Sequence, residues 1–589
     1  VTPAAAPGPA PTAGRARRLD PRLAARARAW IADDPDPDTR AELEQLLATG
    51  AAAELAERMA GPLRFGTAGL RGPVRAGPNG MNVAVVRRTT AGLAAWLAGQ
   101  RQAGGTVVVG RDARHGSHVF AAATAGVLAA AGFDVRTLPG PLPTPVLAHA
   151  VRALPAVAGV QITASHNPAA DNGYKVYLGF GGHGGAQLVA PADSEIEAAI
   201  DAAPPAAQIA VAAPIPAAQI AVAAAAAGRP HDPTGRPYEP LPGYLERVGR
   251  LPRGTARRLR IALTPLHGVG GAVAQDAFHA AGFTDVHLVA EQADPDPDFP
   301  TVDSPNPEDP RSTAALLVLA AEIGADLAIA LDPDADRCAV GIPDRTESAS
   351  ESAGPGSPVP GRTGGWRMLT GDQVGALLGE HILRTGTGAD PLVASTVVSS
   401  SLLAKIAAAH GARHAETLTG FKWIVRAGAG LVYGYEEAIG YCVDPDAVRD
   451  KDGIAAAVLI ADLAAIRAAT GGSLDTVLDE LAVRHGVHAT GALTWTMSPE
   501  RIAAALERVN RLDGVERPAP DVLIARAAGQ RIAVRPSGTE PKLKVYLEVV
   551  EPVPTPDALP AARLRAARRL AMLGTEITEL IGGGPSPPC

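Results

Sequence analysis

Asp332, Asp334 and Asp336 stand at alternate positions in "ADLAIALDPDADRCAVGI", residues 325–342, directly after the apolar run Leu327 to Leu331. In an extended or looping backbone such side chains fall on one side, and Pro333 disfavours a helix. Three like charges so placed repel unless a cation joins them. Oxygen ligands in so small a set suit Mg²⁺, completed by water or a phosphate. An EF-hand does not fit, because Arg337 stands where the turn glycine belongs and Pro343 where the bidentate Glu belongs. The plain alternative is a solvated acidic turn, and the apolar run just before it argues against that.

A second stretch, "RIAVRPSGTEPKLKVYLEVV" at 531–550, sets Arg535, Ser537, Gly538, Thr539 and Lys542 between two alternating segments. Gly538 lets successive amides point inward, while two hydroxyls and two cations add donors, which makes a nest for a phosphate. No GxxxxGK[ST] loop occurs, so nucleotide hydrolysis lacks support. "YGYEEAIGY" at 433–441 offers Glu436 and Glu437 as acceptors for sugar hydroxyls, with "VRDKDG" following at 448–453. "RFGTAGLRG" at 64–72 contains Arg71, and "LTGFKW" at 418–423 presents Lys422. Finally, "QITASHNPAADNGYKVY" at 161–177 puts Ser165 beside His166, with Lys175 downstream. With no Asp in triad order, Ser165 is poorly suited to acyl transfer. As a phosphate carrier beside a cation that draws charge off a transferring phosphoryl group, it makes chemical sense.

Such loops need elements to hold them. "TVVVGRDARHGSHVFAAATAGVLAAAGFDVRTL" (106–138), "RIALTPLHGVGGAVAQDAFHAAGFTDVHLV" (260–289) and, more faintly, "PLVASTVVSSSLLAKIAAAHGARHAETLT" (391–419) each run strand, loop, Ala-rich helix, glycine stop, strand. Each reads as a βαβ unit, so three α/β domains with largely parallel strands are expected. At about 150 residues per domain, 589 residues leave room for roughly a fourth. The expected division is 1–19 as a disordered tail, 20–228 with two N-terminal helices and the serine loop, 229–345 with the aspartates, 346–478 with the paired glutamates, and 479–589, a smaller α+β unit, with the phosphate nest. Two linkers interrupt this order. Residues 201–232 contain "PAAQIAVAA" twice, and 344–365 are rich in Ser, Gly and Pro. Both are expected to lie on the surface without chemistry.

Composition excludes other classes. A net charge of −7 argues against a dedicated nucleic-acid surface. Cys338, Cys442 and Cys589 form no disulfide framework and fit a reducing, cytoplasmic compartment. No apolar stretch of membrane-spanning length is expected, and "VTPAAAPGPAPTAGRARR" lacks the apolar centre of a signal peptide.

"TASHNP", "DPDADR", "YEEAIG" and "RPSGTEPK", one per domain and in this order, resemble the α-D-phosphohexomutase superfamily of phosphoglucomutases and phosphomannomutases over about residues 60 to 550. "RFGTAGLRG" and "TLTGFKWI" resemble most its branch of larger phosphoglucomutases and phosphopentomutases. The resemblance implies four domains around a central cleft and a mutase working through a phosphoserine. Ser165 would give its phosphoryl group to a sugar monophosphate, forming a sugar 1,6-bisphosphate, also the activator, which turns over and returns its other phosphate. It implies one Mg²⁺ on Asp332, Asp334 and Asp336 that also touches the serine phosphate. Arg71, His166, Lys175 and Lys422 match positions that hold phosphate or shuttle protons, with acid and base unassigned. Glu436 matches the acceptor for sugar hydroxyls, and Arg535, Ser537, Gly538 and Thr539 the grip on the unreacting phosphate; Arg337 and Lys542 join them as substrate contacts. Partners are phosphosugars, with no nucleic acid or membrane, in a monomer or weak dimer. Ala438 departs from members that carry a serine there, which leaves glucose as the leading sugar with mannose and pentoses as rivals. A haloacid-dehalogenase-type phosphatase using Asp332 as nucleophile is the other enzyme reading; it would leave Ser165 idle.

Overall fold

The computed structural model describes residues 19–64, 69–212, 239–344, 362–363, 365–537 and 541–586. Residues 1–18 of the expected tail, the second "PAAQIAVAA", most of the 344–365 linker, residues 65–68, Gly538, Thr539 and Cys589 lie outside them.

All three repeats form the expected units. Thr106–Arg111 pairs in parallel with Asp134–Pro141 across helix Ser117–Ala130. Arg260–Thr264 does so with Asp285–Leu288 across Gly270–Ala280, and Leu392–Thr396 with Arg413–Thr417 across Leu402–Ala409. Each sheet then gains antiparallel strands, so all three are mixed. In the first, Asp171–Leu178 is sandwiched between Ala158–Ile162 and the edge strand Leu70–Pro73. In the second, Leu327–Leu331 lies parallel to Arg260–Thr264 and antiparallel to Cys338–Pro343. The third adds Leu431–Glu436 and the short return strand Gly440–Cys442. The fourth sheet is wholly antiparallel, in the order Val487–Thr496, Lys542–Glu551, Gln530–Pro536, Val522–Ala527, Val515–Ala519, with helix Leu559–Ile581 packed on it.

The N-terminal segment holds three helices where two were expected. Asp20 and Asp36 cap the first two, accepting from the N–H groups of Arg22 and Asp38 at 2.8 and 3.0 Å. Gly50, in the left-handed region at φ +69°, ends the second and permits the separate turn Ala52–Arg58. The first "PAAQIAVAA" copy lies on the surface, as expected, and is anchored there. Ala206 and Ile209 are buried, and the Asp33 carboxylate accepts from the N–H groups of Ala206 and Ala207.

One core crosses what the sequence reads as separate domains. Helix Gly453–Ala468 is buried on every side up to Ala465 and packs against helices Gly270–Ala280 and Gly371–Arg384 and strand Cys338–Pro343. Its sequence, "GIAAAVLIADLAAIRA", is apolar on every face up to Ala465 but for Asp462, whose carboxylate accepts from Arg253 N and Gly254 N and meets His381, as suits a nearly enclosed helix. The second and third sheets therefore share one apolar cluster, which also takes in helix Thr144–Ala153 of the first. The serine, aspartate and glutamate loops are thus fixed to a common body.

The fourth sheet docks through a polar knot. Glu548 accepts from Ser400 Oγ at 2.7 Å and Ser401 N at 2.8 Å, and pairs with Arg531 at 3.1 Å and His488 Nδ1 at 3.1 Å. Arg531 in turn donates to the carbonyls of Val397 and Ser399. Burial would raise the Glu548 carboxyl, but the bonds from His488, Arg531 and Ser400 outweigh it and hold it at about 2. A depressed carboxylate stabilises the fold above its unfolded value and loses that contribution as pH falls through the folded one. We expect this contact to weaken between about pH 4.5 and pH 2, and Glu548→Gln to remove on the order of 3 kcal/mol at pH 7. Urea unfolding of both proteins at pH 7 and pH 3 checks this: the gap between them should shrink at the lower pH.

Candidate active site

Strand Leu327–Leu331, buried throughout, runs directly into the aspartate loop. The chain turns there at Ala335, φ +55°, a conformation that costs a non-glycine residue energy and recurs at the other site loops, Ser165 at φ +54° and Ile439 at φ +55°. Asp332, Asp334 and Asp336 are all buried, each with a carboxylate oxygen within 4.8 Å of the others. The cation their repulsion calls for is supplied to some extent by lysine. Lys175 Nζ lies 2.6 Å from Asp334 and 2.8 Å from Asp336, and Lys451 Nζ 3.3 Å from Asp336. Burial and the neighbouring carboxylates push Asp332 up to about 7; Arg337 offsets some of this. For Asp336 burial acts the same way, but Lys175, Lys451 and Arg337 outweigh it and hold that carboxyl below the usual range.

The triad retains room for a metal ligand set. Asp334 Oδ1 and Asp336 Oδ1 are buried with no hydrogen-bond partner, hard oxygens of the kind Mg²⁺ takes. Asp332 is the most engaged of the three. Its Oδ1 accepts from Arg337 N at 3.0 Å, and its Oδ2 from Arg337 Nε at 3.2 Å and Ser165 Oγ at 2.6 Å.

Ser165 thus arrives at the triad from the first sheet, its own N–H held by Thr163 Oγ1 at 2.9 Å and its hydroxyl 3.3 Å from His166 Nδ1. Burial and the charges of Arg337 and Arg71 lower the His166 imidazole well below its ordinary value, so it is neutral at pH 7. Arg71, on the edge strand, donates to Asn167 Oδ1 at 3.1 Å in the same loop.

Two residues that no motif singled out govern this geometry. Arg114 reaches under the serine loop and donates to the carbonyls of Ser165 (2.6 Å), Asn167 (2.5 Å), Pro168 (2.7 Å) and Asp171 (3.1 Å). Thr144, at the start of its helix, donates to Asp334 Oδ2 at 2.5 Å through Oγ1, and its N–H bonds the Asp334 carbonyl at 2.9 Å. Lysine at 114 cannot reproduce a fork that serves four carbonyls. We expect Arg114→Lys to lower kcat by roughly 10²-fold, the usual cost of about 1 Å of misplacement at a reacting group, with KM little changed; steady-state kinetics measure the split.

Glu436 and Glu437 diverge. Glu437 is held by Thr396 and Ser399 at 3.0 and 3.1 Å, whereas burial raises Glu436 to about 7 against the pull of Lys451. A side chain at Gly440 would put its first carbon 2.5 Å from the Lys451 stem and 2.9 Å from Glu436 Oε1, so only glycine lets these two groups approach. Gly453 is required in the same way, since a side chain there would strike the Arg337 carbonyl at 2.5 Å. "VRDKDG" is therefore the signal for Lys451, whose charge burial opposes but Asp336, Asp450 and Glu436 reinforce.

Arg337 bridges Asp332 to Glu308 at 3.2 Å and pairs as a β-bridge with Gly440, tying the aspartate loop to the glutamate loop. Arg535 approaches from the fourth sheet: its Nε is buried without a partner, and Glu437 and Glu436 are among the charges acting on it. The hairpin below closes through Ser537 N to the Lys542 carbonyl at 2.7 Å. Lys422 is not brought to the triad. Its nearest carboxylate is Asp193 at 4.0 Å, and burial lowers its ammonium.

Family models described as "Phosphoglucomutase/phosphomannomutase, alpha/beta/alpha" domains I, II and III match residues 62–206, 242–345 and 370–484, and that of the C-terminal domain matches 496–554. A probable phosphomannomutase of Haemophilus influenzae is 37% identical over 492 residues, covering 80% of this chain and 93% of that protein. A mouse phosphopentomutase is 32% identical, covering 94% of each. Among solved structures, a putative phosphomannomutase from Thermus thermophilus superposes with a TM-score of 0.60 at 25% identity, over 87% of this chain and 99% of that one.

Proposed function

Since the chain belongs to the phosphoglucomutase/phosphomannomutase family of sugar-phosphate mutases, which are isomerases, we propose that Ser165 carries the phosphoryl group in an exchange between the 1- and 6-positions of a hexose phosphate, glucose first. The observation that carries this reading is the Ser165 hydroxyl lying 2.6 Å from Asp332 inside the buried triad. In the phosphorylated enzyme a sugar hydroxyl attacks phosphorus, the bond to Ser165 Oγ breaks, and a sugar 1,6-bisphosphate forms. The hydroxyl proton passes to a base, for which His166 and Glu436 are the candidates, and Ser165 Oγ takes up a proton as its bond to phosphorus breaks; in the return step the serine gives up that proton and the departing sugar oxygen regains one. After the bisphosphate turns over, Ser165 Oγ takes the second phosphoryl group and the isomeric monophosphate leaves.

Asp332, Asp334 and Asp336 would hold Mg²⁺, which supplies charge stabilisation to the transferring phosphoryl group. Lys175, Lys451 and Arg71 flank the same triad and offset its negative charge. The loop from Arg535 to Lys542 takes the phosphate that is not reacting, in either orientation of the sugar. Glu436 accepts from ring hydroxyls, and it is the group free to do so because Glu437 is tied to Thr396 and Ser399. A pentose 1-phosphate and 5-phosphate pair is the second reading, favoured by a relative named phosphopentomutase that spans 94% of the chain.

Kinetics on glucose, mannose and ribose 1-phosphates test both. Arg535→Ala should raise KM for all three by similar factors, roughly 10- to 100-fold for one charge-assisted contact. Glu436→Ala should act unequally, because a site that bonds a hydroxyl discriminates against sugars that leave it unpaired. Equal losses across the sugars would show that Glu436 does not read the ring.

A further inference from the structure

Away from the aspartate triad, three guanidiniums converge on the turn at residues 181–187 where the first sheet meets the third. Arg152 lies in the last turn of helix Thr144–Ala153 and donates to the carbonyls of Asp446, at 2.9 Å, and Gly184. Arg426 donates to the carbonyls of Lys422 and Gln187, each at 2.8 Å. Arg449 has a buried Nε with no partner. A side chain at Gly184 would place its first carbon 2.6 Å from Nη1 of Arg449 and 3.5 Å from Nη1 of Arg152, so these two groups face each other across one glycine. The mutual repulsion of Arg449 with Arg152 and with Arg426 adds to the burial that lowers both of those guanidiniums.

Nearby carboxylates offset this charge only in part: Asp446 and Asp444 act on Arg152, and Asp450 acts on Arg426, without a direct ion pair to any of the three guanidiniums among the described residues. Asp444 is taken bidentately by Arg247, and Asp450 accepts from Tyr177 Oη and Gln187 Nε2, each at 2.7 Å. Among the described residues, Arg152 and Arg426 spend their donors on carbonyls, which leave the positive charge in place. Unpaired cations gathered against buried surface are costly unless an anion joins them. Planar guanidinium forks match the oxygens of a phosphoryl group. We propose that Arg152, Arg426 and Arg449 form a second anion site, separate from the loop at 535–542, which binds a phosphoryl group as free phosphate or as a small phosphate ester. The proposal stands independently of the sugar on which the enzyme acts.

Arginine labelling with phenylglyoxal, read peptide by peptide in the mass spectrometer, tests it on the full chain carrying Arg535→Ala. Inorganic phosphate or glycerol 3-phosphate should slow labelling of Arg449 and Arg426 about tenfold. Whichever protects at the lower concentration tells free ion from ester. Labelling of Arg449 that neither probe changes overturns the site. Calorimetry with inorganic phosphate gives the second measurement: Arg426→Gln with Arg449→Gln should lose one binding event while the event that depends on Arg535 remains. Arg449→Lys, which keeps the charge, should retain both with the second weakened. Isotherms of the double variant that match the parent would overturn the proposal as well.

Discussion

Ser165→Ala should abolish turnover, by at least about 10⁴-fold, the scale seen when a group-transfer enzyme loses its nucleophile. The fold should barely register the change. Alanine keeps the backbone at φ +54° no worse than serine does, and the lost hydroxyl gives up one bond to Asp332, which still accepts twice from Arg337. That bond is worth about 1 kcal/mol, so thermal unfolding should shift by a few degrees at most. Intact-protein mass spectrometry separates carrier from bystander. Active wild-type enzyme exposed to a sugar bisphosphate should gain the mass of one phosphoryl group at Ser165, and the variant should gain none. Active enzyme that never carries phosphate there would end the relay reading.

The chemistry was legible where it is local. Asp332, Asp334 and Asp336 declare themselves because three carboxylates within five residues directly after an apolar run must be brought close by any short loop, here one that turns at Ala335. The three βαβ units were legible for the same reason, since a β-branched run, an Ala-rich helix and a glycine stop are short-range signals. What stayed hidden comes from far away in sequence. Arg114 binds carbonyls 51 to 57 positions downstream, and Thr144 meets Asp334 across 190. Nothing in "GRDARHGSH" distinguishes a guanidinium that clamps a loop from one that faces water. Lys451 had a local signal in "KDG", because a glycine there is required by the Arg337 carbonyl, but that requirement appears only once helix Gly453–Ala468 is seen against the aspartate loop. The first "PAAQIAVAA" copy is on the surface, as its low complexity reads, but its anchors were not legible: Asp33 and Gly126 give its backbone partners, and Ala206 and Ile209 turn inward.

Asp334→Asn separates two accounts of the triad. In one, the aspartates are an ion-pair knot whose positive charge is Lys175, Lys451 and Arg337; in the other they also hold a divalent cation. The buried, unpartnered Oδ1 atoms of Asp334 and Asp336 favour the second, because an ion-pair knot has no use for oxygens left without donors. Substitution by Asn keeps the volume and the bond from Thr144 but removes one formal charge opposite Lys175. We expect activity to fall by roughly 10³-fold, in line with the several kcal/mol a metal contributes at a transferring phosphoryl group. Activity alone does not distinguish the accounts, since losing the charge opposite Lys175 would also disturb the site. Binding does. Mg²⁺ should raise the unfolding temperature of the wild-type protein in proportion to its saturation, and this rise should vanish in Asp334→Asn. Exhaustive EDTA should silence the wild type, and added Mg²⁺ should restore it. Full activity after EDTA, with no Mg²⁺-dependent stabilisation, would leave Lys175, Lys451 and Arg337 as the cations that suffice for the three aspartates.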